Sequence, residues 1–193
     1  MKIGIIIQAR ADSKRFPKKI FKDLGGETLI SRVVGLAKKC KNTSTVILAH
    51  PKRDALYPFK LLDVKIFAGD EVDVLKRIID AAKHNKLDAV VRVCADSPYI
   101  LPWLIDYGID VFKKNKIDYL FTKCFPIGQN IEIIKLSVLK KIYLLCDKEE
   151  REHVTLYLER HKTKFNIKSL DIQFVVDTPR DLTQLEELRK YYE

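Results

Sequence analysis

Between Gln8 and Lys19 the chain reads QARADSKRFPKK, and Arg10, Lys14, Arg15, Lys18 and Lys19 place five cations in ten residues. The run begins where the apolar stretch Ile3 to Ile7 ends. Arg and Lys at close range offset phosphate charge, and backbone N–H groups and the Ser13 hydroxyl add hydrogen bonds. A triphosphate, with about four negative charges, suits such a loop. A merely solvated basic loop has the same composition. Neither GxxxxGK nor GxGxxG is present, so the loop is not a Walker or dinucleotide-binding motif.

Two aspartates stand in matching surroundings. Asp96 follows Arg92-Val93-Cys94-Ala95, and Asp177 follows Phe174-Val175-Val176; each meets a proline two residues later. Carboxylates from two strands of one sheet edge can share Mg²⁺, which takes few carboxylates together with phosphate oxygens. Spacing alone favours a plainer role, in which each aspartate caps the helix after it.

Other chemistry is excluded by spacing. Cys40, Cys94, Cys124 and Cys146 form no CxxC pair and read as reduced, mostly buried thiols. His50, His84, His153 and His161 have no metal-binding spacing. Nothing suggests a Ser–His–Asp or Cys–His nucleophile.

The elements that must position these groups follow from periodicity. Lys2 to Gln8 reads as a buried strand, followed by a polar loop over 9–27 and a helix over about 29–39. Strands are expected at 45–49, 64–67, 88–94, 117–121, 130–134 and 172–176. Asp70 is expected to cap a helix with Val74, Leu75, Ile78, Ile79 and Ala82 on its apolar face. Pro102 opens a helix running to about 115, two helices fill about 136–161, and Thr178 and Pro179 open the last, with Leu182, Leu185 and Leu188 on one face. Alternating strands and helices predict an α/β fold: a mostly parallel sheet with helices on both faces. Ligands in such sheets bind beyond the carboxyl ends of the strands, which singles out Gln8 to Arg10, Asp96 and Asp177.

The 193 residues suit one domain. With 47% hydrophobic and 32% charged residues, the chain is not of a disordered class. The net charge of +10 favours anionic partners. Nucleic acid is one such class, but there are no RNP aromatics, GXXG loop or zinc-finger spacing, so no nucleic-acid partner is expected. The apolar N-terminal run is too short for a signal peptide, and no stretch approaches a membrane span; a cytoplasmic protein with no membrane partner is expected.

The run QARADSKRFPKKIFKDLGGETLISRV resembles the N-terminal signature of the cytidylyltransferase family, which includes the enzymes that activate sugar acids with CMP. Within it, the resemblance is to the branch named for a spore-coat polysaccharide biosynthesis protein. GDEVDVLKRIIDAA, VVRVCADSPYILPWLID, GQNIEI, REHVTLYL and VVDTPRDL follow in the family's order, so the likeness covers nearly the whole chain. It implies one nucleotidyltransferase domain over 1–193 with a GT-A-like, Rossmann-like three-layer fold. It also implies CTP as donor, Mg²⁺ as cofactor and a role in surface polysaccharide or glycoconjugate precursor synthesis. Arg10, Ser13, Arg15 and Lys19 match the triphosphate-gripping loop, Gln8 and Ala9 the residues beside the base, and Asp96 and Asp177 the metal-binding aspartates. Lys19, Asp96 and Asp177 are the catalytic candidates. Arg77 matches a recurring family position, and as a helical residue it could instead anchor its helix through an ion pair.

Glu132 and the Arg151-Glu152-His153 cluster are the acceptor-side candidates; a surface ion-pair cluster at a helix start is the alternative. Lys18 replaces the family's usual glycine before Lys19, Ala95 the usual glycine before Asp96, and Asn130 stands where relatives often carry Asp. Most departures fall on the acceptor side, so the small anionic acceptor is open between a sugar acid and a phosphorylated or phosphonate compound. Another nucleotide donor, or a glycosyltransferase consuming a nucleotide sugar, remains an alternative because triphosphate recognition does not read the base. The resemblance also implies a homodimer formed through about 122–160.

Overall fold

The computed structural model describes every residue except Lys14, Ala55, Leu56, Cys124, Gln173 and Glu193, and leaves out the side chains of Tyr57 and Tyr192. Seven strands form one sheet: β1 (Ile3–Gln8), β2 (Val46–Pro51), β3 (Lys65–Gly69), β4 (Ala89–Cys94), β5 (Tyr119–Thr122), β6 (Glu132–Lys135) and β7 (Ile167–Leu170). Their order is β3-β2-β1-β4-β6-β5-β7. β6 runs antiparallel to β4 and β5, and every other pairing is parallel.

The helices are α1 (Leu29–Lys38), α2 (Tyr57–Lys60), α3 (Val74–His84), α4 (Pro102–Lys114), α5 (Leu136–Tyr143), α6 (Lys148–Glu152), α7 (Leu156–Arg160) and α8 (Pro179–Tyr192). Alternation along β1 explains the three layers, because successive strand side chains face opposite sides. Ile3, Ile5 and Ile7 join the core formed with α1, α4 and Leu188 of α8. Ile6 joins the opposite core, formed with α3, α5 and α7. Burial on both faces is why β1 is a continuous apolar run. Gly4 makes the packing possible: a Cβ there would lie 2.8 Å from Leu87 Cδ1. Among the described residues no helix is long and apolar enough to cross a membrane.

Several expectations need correction. The last strand lies at Ile167–Leu170, not 172–176. It is an edge strand, paired through β5 alone, and so needs no long apolar run. Phe174, Val175 and Val176 are instead more than half exposed, and Phe174 meets Trp103 edge-on at 6.3 Å. Asp70 does not cap α3. Asp73 does, accepting from the Lys76 N–H at 2.7 Å, while the Asp70 carboxylate accepts from the N–H groups of Val72 and Asp73 just before it. Those two N–H bonds hold the Asp70 carboxyl below the usual carboxylate range. Three short helices rather than two fill 136–160, because Asp147 starts α6 with a reciprocal capping box. Leu182 of α8 is half exposed, whereas Leu188 is buried.

Candidate active site

Gln8 and Cys94 are register partners at the carboxyl ends of β1 and β4. The chain beyond each turns away from the sheet, and between them opens a cavity of about 610 Å³. Gln8, Ala9, Arg10, Arg15, Lys19 and Arg77 line it together with Asp96, Glu152 and His153. The loop after β1 is held by hydrogen bonds at both ends. The Ala9 N–H donates to Ala49 O, the Ala11 N–H donates to the Asp54 carboxylate at 2.7 Å, and the Lys18 N–H donates to Ala11 O. Ile20, buried in the core, anchors the 3₁₀ turn Lys19–Phe21. Lys18 precedes that turn at φ +53°, in the left-handed region that favours glycine. Glycine, which the family resemblance leads one to expect at that position, would adopt this conformation without strain.

The turn aims Lys19 at Asp96, and Lys19 Nζ donates to the Asp96 carboxylate. Asp96 is not a helix cap, because α4 starts six residues later with Leu101 as its N-cap. Nor does Asp177 cap α8: the Thr178 hydroxyl accepts from the Asp181 N–H, and the Asp181 carboxylate accepts from the N–H groups of Asp177 and Thr178. The plainer role for both aspartates is therefore absent.

Arg77 is almost fully buried in α3, where Nη1 donates to Asp70 O at 2.7 Å. Its Nε is buried without a hydrogen-bond partner among the described residues. Burial lowers the Arg77 pKa, opposed by Asp54 and Asp70. An anion in the cavity would offset that desolvation. Helix anchoring and anion binding are thus both open to one side chain.

A second cavity, about 530 Å³, adjoins the first and shares Arg92, Cys94, Asp96 and Ile127 with it. Glu132 lies here. It accepts from Tyr119 Oη at 2.9 Å and Thr155 Oγ1 at 2.8 Å, and it pairs with Arg92. Burial, followed by Glu132, raises the Tyr119 pKa far above its ordinary value, so the phenol stays a donor.

Not every candidate meets here. Ser13 is buried in the loop but lines neither cavity. Arg151 faces α3, with Nη1 3.6 Å from Asp73 Oδ2 and its guanidinium over the Tyr143 ring. Glu152 meets Arg10 at 3.8 Å across the first cavity. Asp177 lines neither cavity. Arg92 was missed, although a lone cation inside the run Val90-Val91-Arg92-Val93 was its signal.

The donors partly fit a divalent ion. No group of three or more His, Cys, Asp and Glu converges among the described residues. Mg²⁺ takes most of its ligands from water and phosphate, however, so one carboxylate beside a cationic cavity is a suitable start. Asp96 meets that condition. Asp177 follows β7 by seven residues on the same edge of the sheet, since β4, β5 and β7 are parallel. Three strand spacings separate β4 from β7, roughly 14 Å, and seven extended residues reach roughly 23 Å. The contact of Phe174 with Trp103 draws this segment toward the start of α4.

A family model described as Cytidylyltransferase matches residues 4–192. The spore coat polysaccharide biosynthesis protein SpsF of Bacillus subtilis is 25% identical over 205 residues, covering 96% of this chain and 85% of that protein. The 3-deoxy-manno-octulosonate cytidylyltransferase of Psychromonas ingrahamii is 25% identical over 191 residues, covering 96% of this chain and 72% of that one. The structure of a cytidylyltransferase from Leptospira borgpetersenii superposes with a TM-score of 0.85 at 30% identity, covering 96% of this chain and 85% of that chain.

Proposed function

Because the chain belongs to the cytidylyltransferase family, and so is a nucleotidyltransferase, we propose that it transfers CMP from CTP to a small anionic acceptor and releases pyrophosphate. The observation that carries this reading is the cationic cavity where β1 and β4 end, with Lys19 and Asp96 paired on its wall. Arg10, Arg15, Lys19 and Arg77 surround the volume a triphosphate would fill. In-line attack of an acceptor oxygen on the α-phosphate needs positioning and charge stabilisation more than covalent help. Lys19 and Arg15 stabilise the charge that develops on the leaving pyrophosphate. Gln8 and Ala9, at the end of β1 on the same cavity, are the residues assigned to the base in this proposal. Glu152 lies 3.8 Å from Arg10 in an exposed ion pair, and His153 lines the same cavity.

Mg²⁺ is part of this proposal, held by Asp96 and by Asp177 from the segment after β7. When bound, it supplies Lewis-acid polarisation of the α-phosphate. Lys19 pairs with Asp96 in the meantime and keeps the carboxylate oriented toward the cavity.

The relatives' names point to acceptors such as 3-deoxy-manno-octulosonate and to spore coat polysaccharide biosynthesis; synthesis of a surface polysaccharide precursor in the cytoplasm is part of the proposal. A homodimer through the 122–160 segment belongs to the same reading. That segment carries Leu144 and Leu145 exposed side by side, and light scattering that finds only monomer at working concentration would remove it.

Thermal unfolding with CTP, UTP, GTP and ATP, each with Mg²⁺ and with EDTA, tests the donor. A ligand at one hundred times its Kd stabilises by about 2.7 kcal/mol. A shift selective for CTP and dependent on Mg²⁺ is expected. A selective shift with another nucleotide would replace the donor, and no shift with any would overturn the reading.

A further inference from the structure

We propose that the sheet edge opposite the candidate active site docks electrostatically on an anionic phospholipid surface. The proposal is independent of CMP transfer, because it uses none of the residues of that site.

The parallel strands all start at this edge, and antiparallel β6 ends there, with Lys135 beside Ala89. The chain that enters these strands is rich in lysine. Lys38, Lys39 and Lys41 run from the end of α1 toward β2, and Lys83 and Lys86 from the end of α3 toward β4. Lys113, Lys114 and Lys116 do the same between α4 and β5, and Lys162 and Lys164 lie in the 3₁₀ turn before β7. Each of these lysines is exposed. Three carboxylates stand just before strands here, and each is already engaged. Asp63 pairs with Lys38, Asp88 accepts from the Lys2 N–H at 2.6 Å, and Asp118 pairs with Lys135 at 2.8 Å. The lysines outnumber them, so this edge holds much of the net charge of +10.

Lysine in the last turn of a helix complements the helix dipole, which accounts for Lys38, Lys83, Lys113 and Lys114. The effect fades beyond that turn and does not account for Lys41, Lys86 or Lys116. α3 and α4 end through the same local chemistry, Asn85-Lys86-Leu87-Asp88 and Asn115-Lys116-Ile117-Asp118. The asparagine is the C-cap in both, and the lysine after it has φ +55° or +51°, where helices favour glycine. Leu87 and Ile117 are buried and fix each turn, while the lysines stay in solvent.

This chemistry fits lipid headgroups better than nucleic acid. Lysine is a compact, hydrated point charge that adsorbs to an anionic layer without a set geometry, whereas the planar fork of arginine suits fixed recognition. These turns contain no arginine. Single-stranded bases need stacking partners, and a duplex groove needs a helix or ribbon to enter it. The exposed Phe, Tyr and Trp side chains among the described residues are Phe16, Tyr99 and Phe174, all beyond the carboxyl ends of strands. The expectation of no membrane partner came from the lack of a span, which adsorption does not need. Docking by this edge leaves the cavity beyond β1 and β4 facing away from the lipid.

The test is flotation of the full chain with phosphatidylcholine vesicles, with and without about one-third phosphatidylglycerol. Binding is expected to the anionic vesicles alone at about 0.1 M salt, and is expected to vanish at about 1 M, where charges are screened beyond about 3 Å. Net charge would give the same salt dependence wherever it lay, so two triple variants of equal charge are compared. Lys83→Gln with Lys113→Gln and Lys114→Gln neutralises part of the edge. Lys52→Gln with Lys123→Gln and Lys148→Gln neutralises exposed lysines elsewhere. One lysine at an anionic surface contributes about fivefold. The edge variant should therefore bind at least about tenfold more weakly, and the other should stay within about threefold of the parent. Arginine at the same three edge positions keeps the charge and should keep the binding. All the variants should unfold cooperatively. Equal weakening in both glutamine variants, equal binding to neutral vesicles, loss of binding in the arginine variant, or no binding to anionic vesicles would each overturn the proposal. Tighter binding to duplex DNA at the same salt, lost in the edge variant, would assign the edge to nucleic acid and overturn it too.

Discussion

At the scale of single residues, charge placement separates groups that contact a ligand from groups that hold another side chain. Lys19 lines the cavity and pairs there with Asp96. Its removal leaves the fold and takes away charge stabilisation, so Lys19→Ala should lower kcat about 10²–10³-fold with unchanged circular dichroism. Asp96→Asn should abolish Mg²⁺-dependent pyrophosphate release; full activity would take Asp96 out of the metal site. Glu132 belongs to the second kind. Its truncation would leave Arg92, Tyr119 and Thr155 without their shared acceptor. Breaking a buried ion pair from one side costs about 3–5 kcal/mol. The Arg92–Glu132 pair is only partly buried, its side chains 16% and 18% exposed, so Glu132→Ala should lose stability at the lower end of that scale, about 3 kcal/mol, in urea unfolding.

At the scale of elements, local backbone chemistry sets where the loops deliver their side chains. The turn carrying Lys19 starts from Lys18 in a left-handed conformation. A non-glycine residue there costs about 1–3 kcal/mol, and glycine costs about 0.5–1 kcal/mol in chain entropy. Lys18→Gly should raise stability by about 0.5–1 kcal/mol, read as a higher urea midpoint at unchanged m-value. The N-terminus of α3, which presents Arg77 to the cavity, depends on Asp73. Loss of an Asp cap costs about 1 kcal/mol, so Asp73→Ala should lower stability by that amount, whereas Asp70, capping nothing, lies outside this effect.

For the whole molecule, burial couples stability to alkaline pH. Cys40 lies in the core where α1 ends near α4, and burial, aided by Asp106, pushes its thiol up to about 12. Unfolded, the thiol titrates near 8.5. The folded state thus prefers the neutral thiol, and its contribution is complete below about pH 8.5 and is lost as pH rises toward about 12. Cys40→Ala removes that dependence. Unfolding midpoints between pH 8 and 10.5 should fall less steeply in the variant than in the parent, and parallel slopes would refute the coupling. The same sheet that buries Cys40 brings residues distant in the chain to one edge, so the global fold and the site stand together.

The sequence by itself determined most of the strands and helices and the cationic character of the loop after β1. Local periodicity writes these directly: Ile3 to Ile7 cannot be other than buried, and Leu75, Ile78, Ile79 and Ala82 share a face of α3. The motifs also carried family membership. Caps and edges were less legible. Asp70 and Asp73 compete for one helix start, and hydrogen-bond geometry chooses between them. An edge strand such as β7 needs little apolar pattern, so the exposed run at 174–176 drew the assignment away from it. Tertiary structure alone decided which side chains Asp96 and Arg92 meet. Neither aspartate's capping role survived the observed helix starts, and Lys19 reaches Asp96 across 77 residues. Arg92 meets Gln8 and Glu132 across 84 and 40 residues. Such meetings depend on strand order and register, which sum weak preferences over the whole chain and leave no local mark on any one residue.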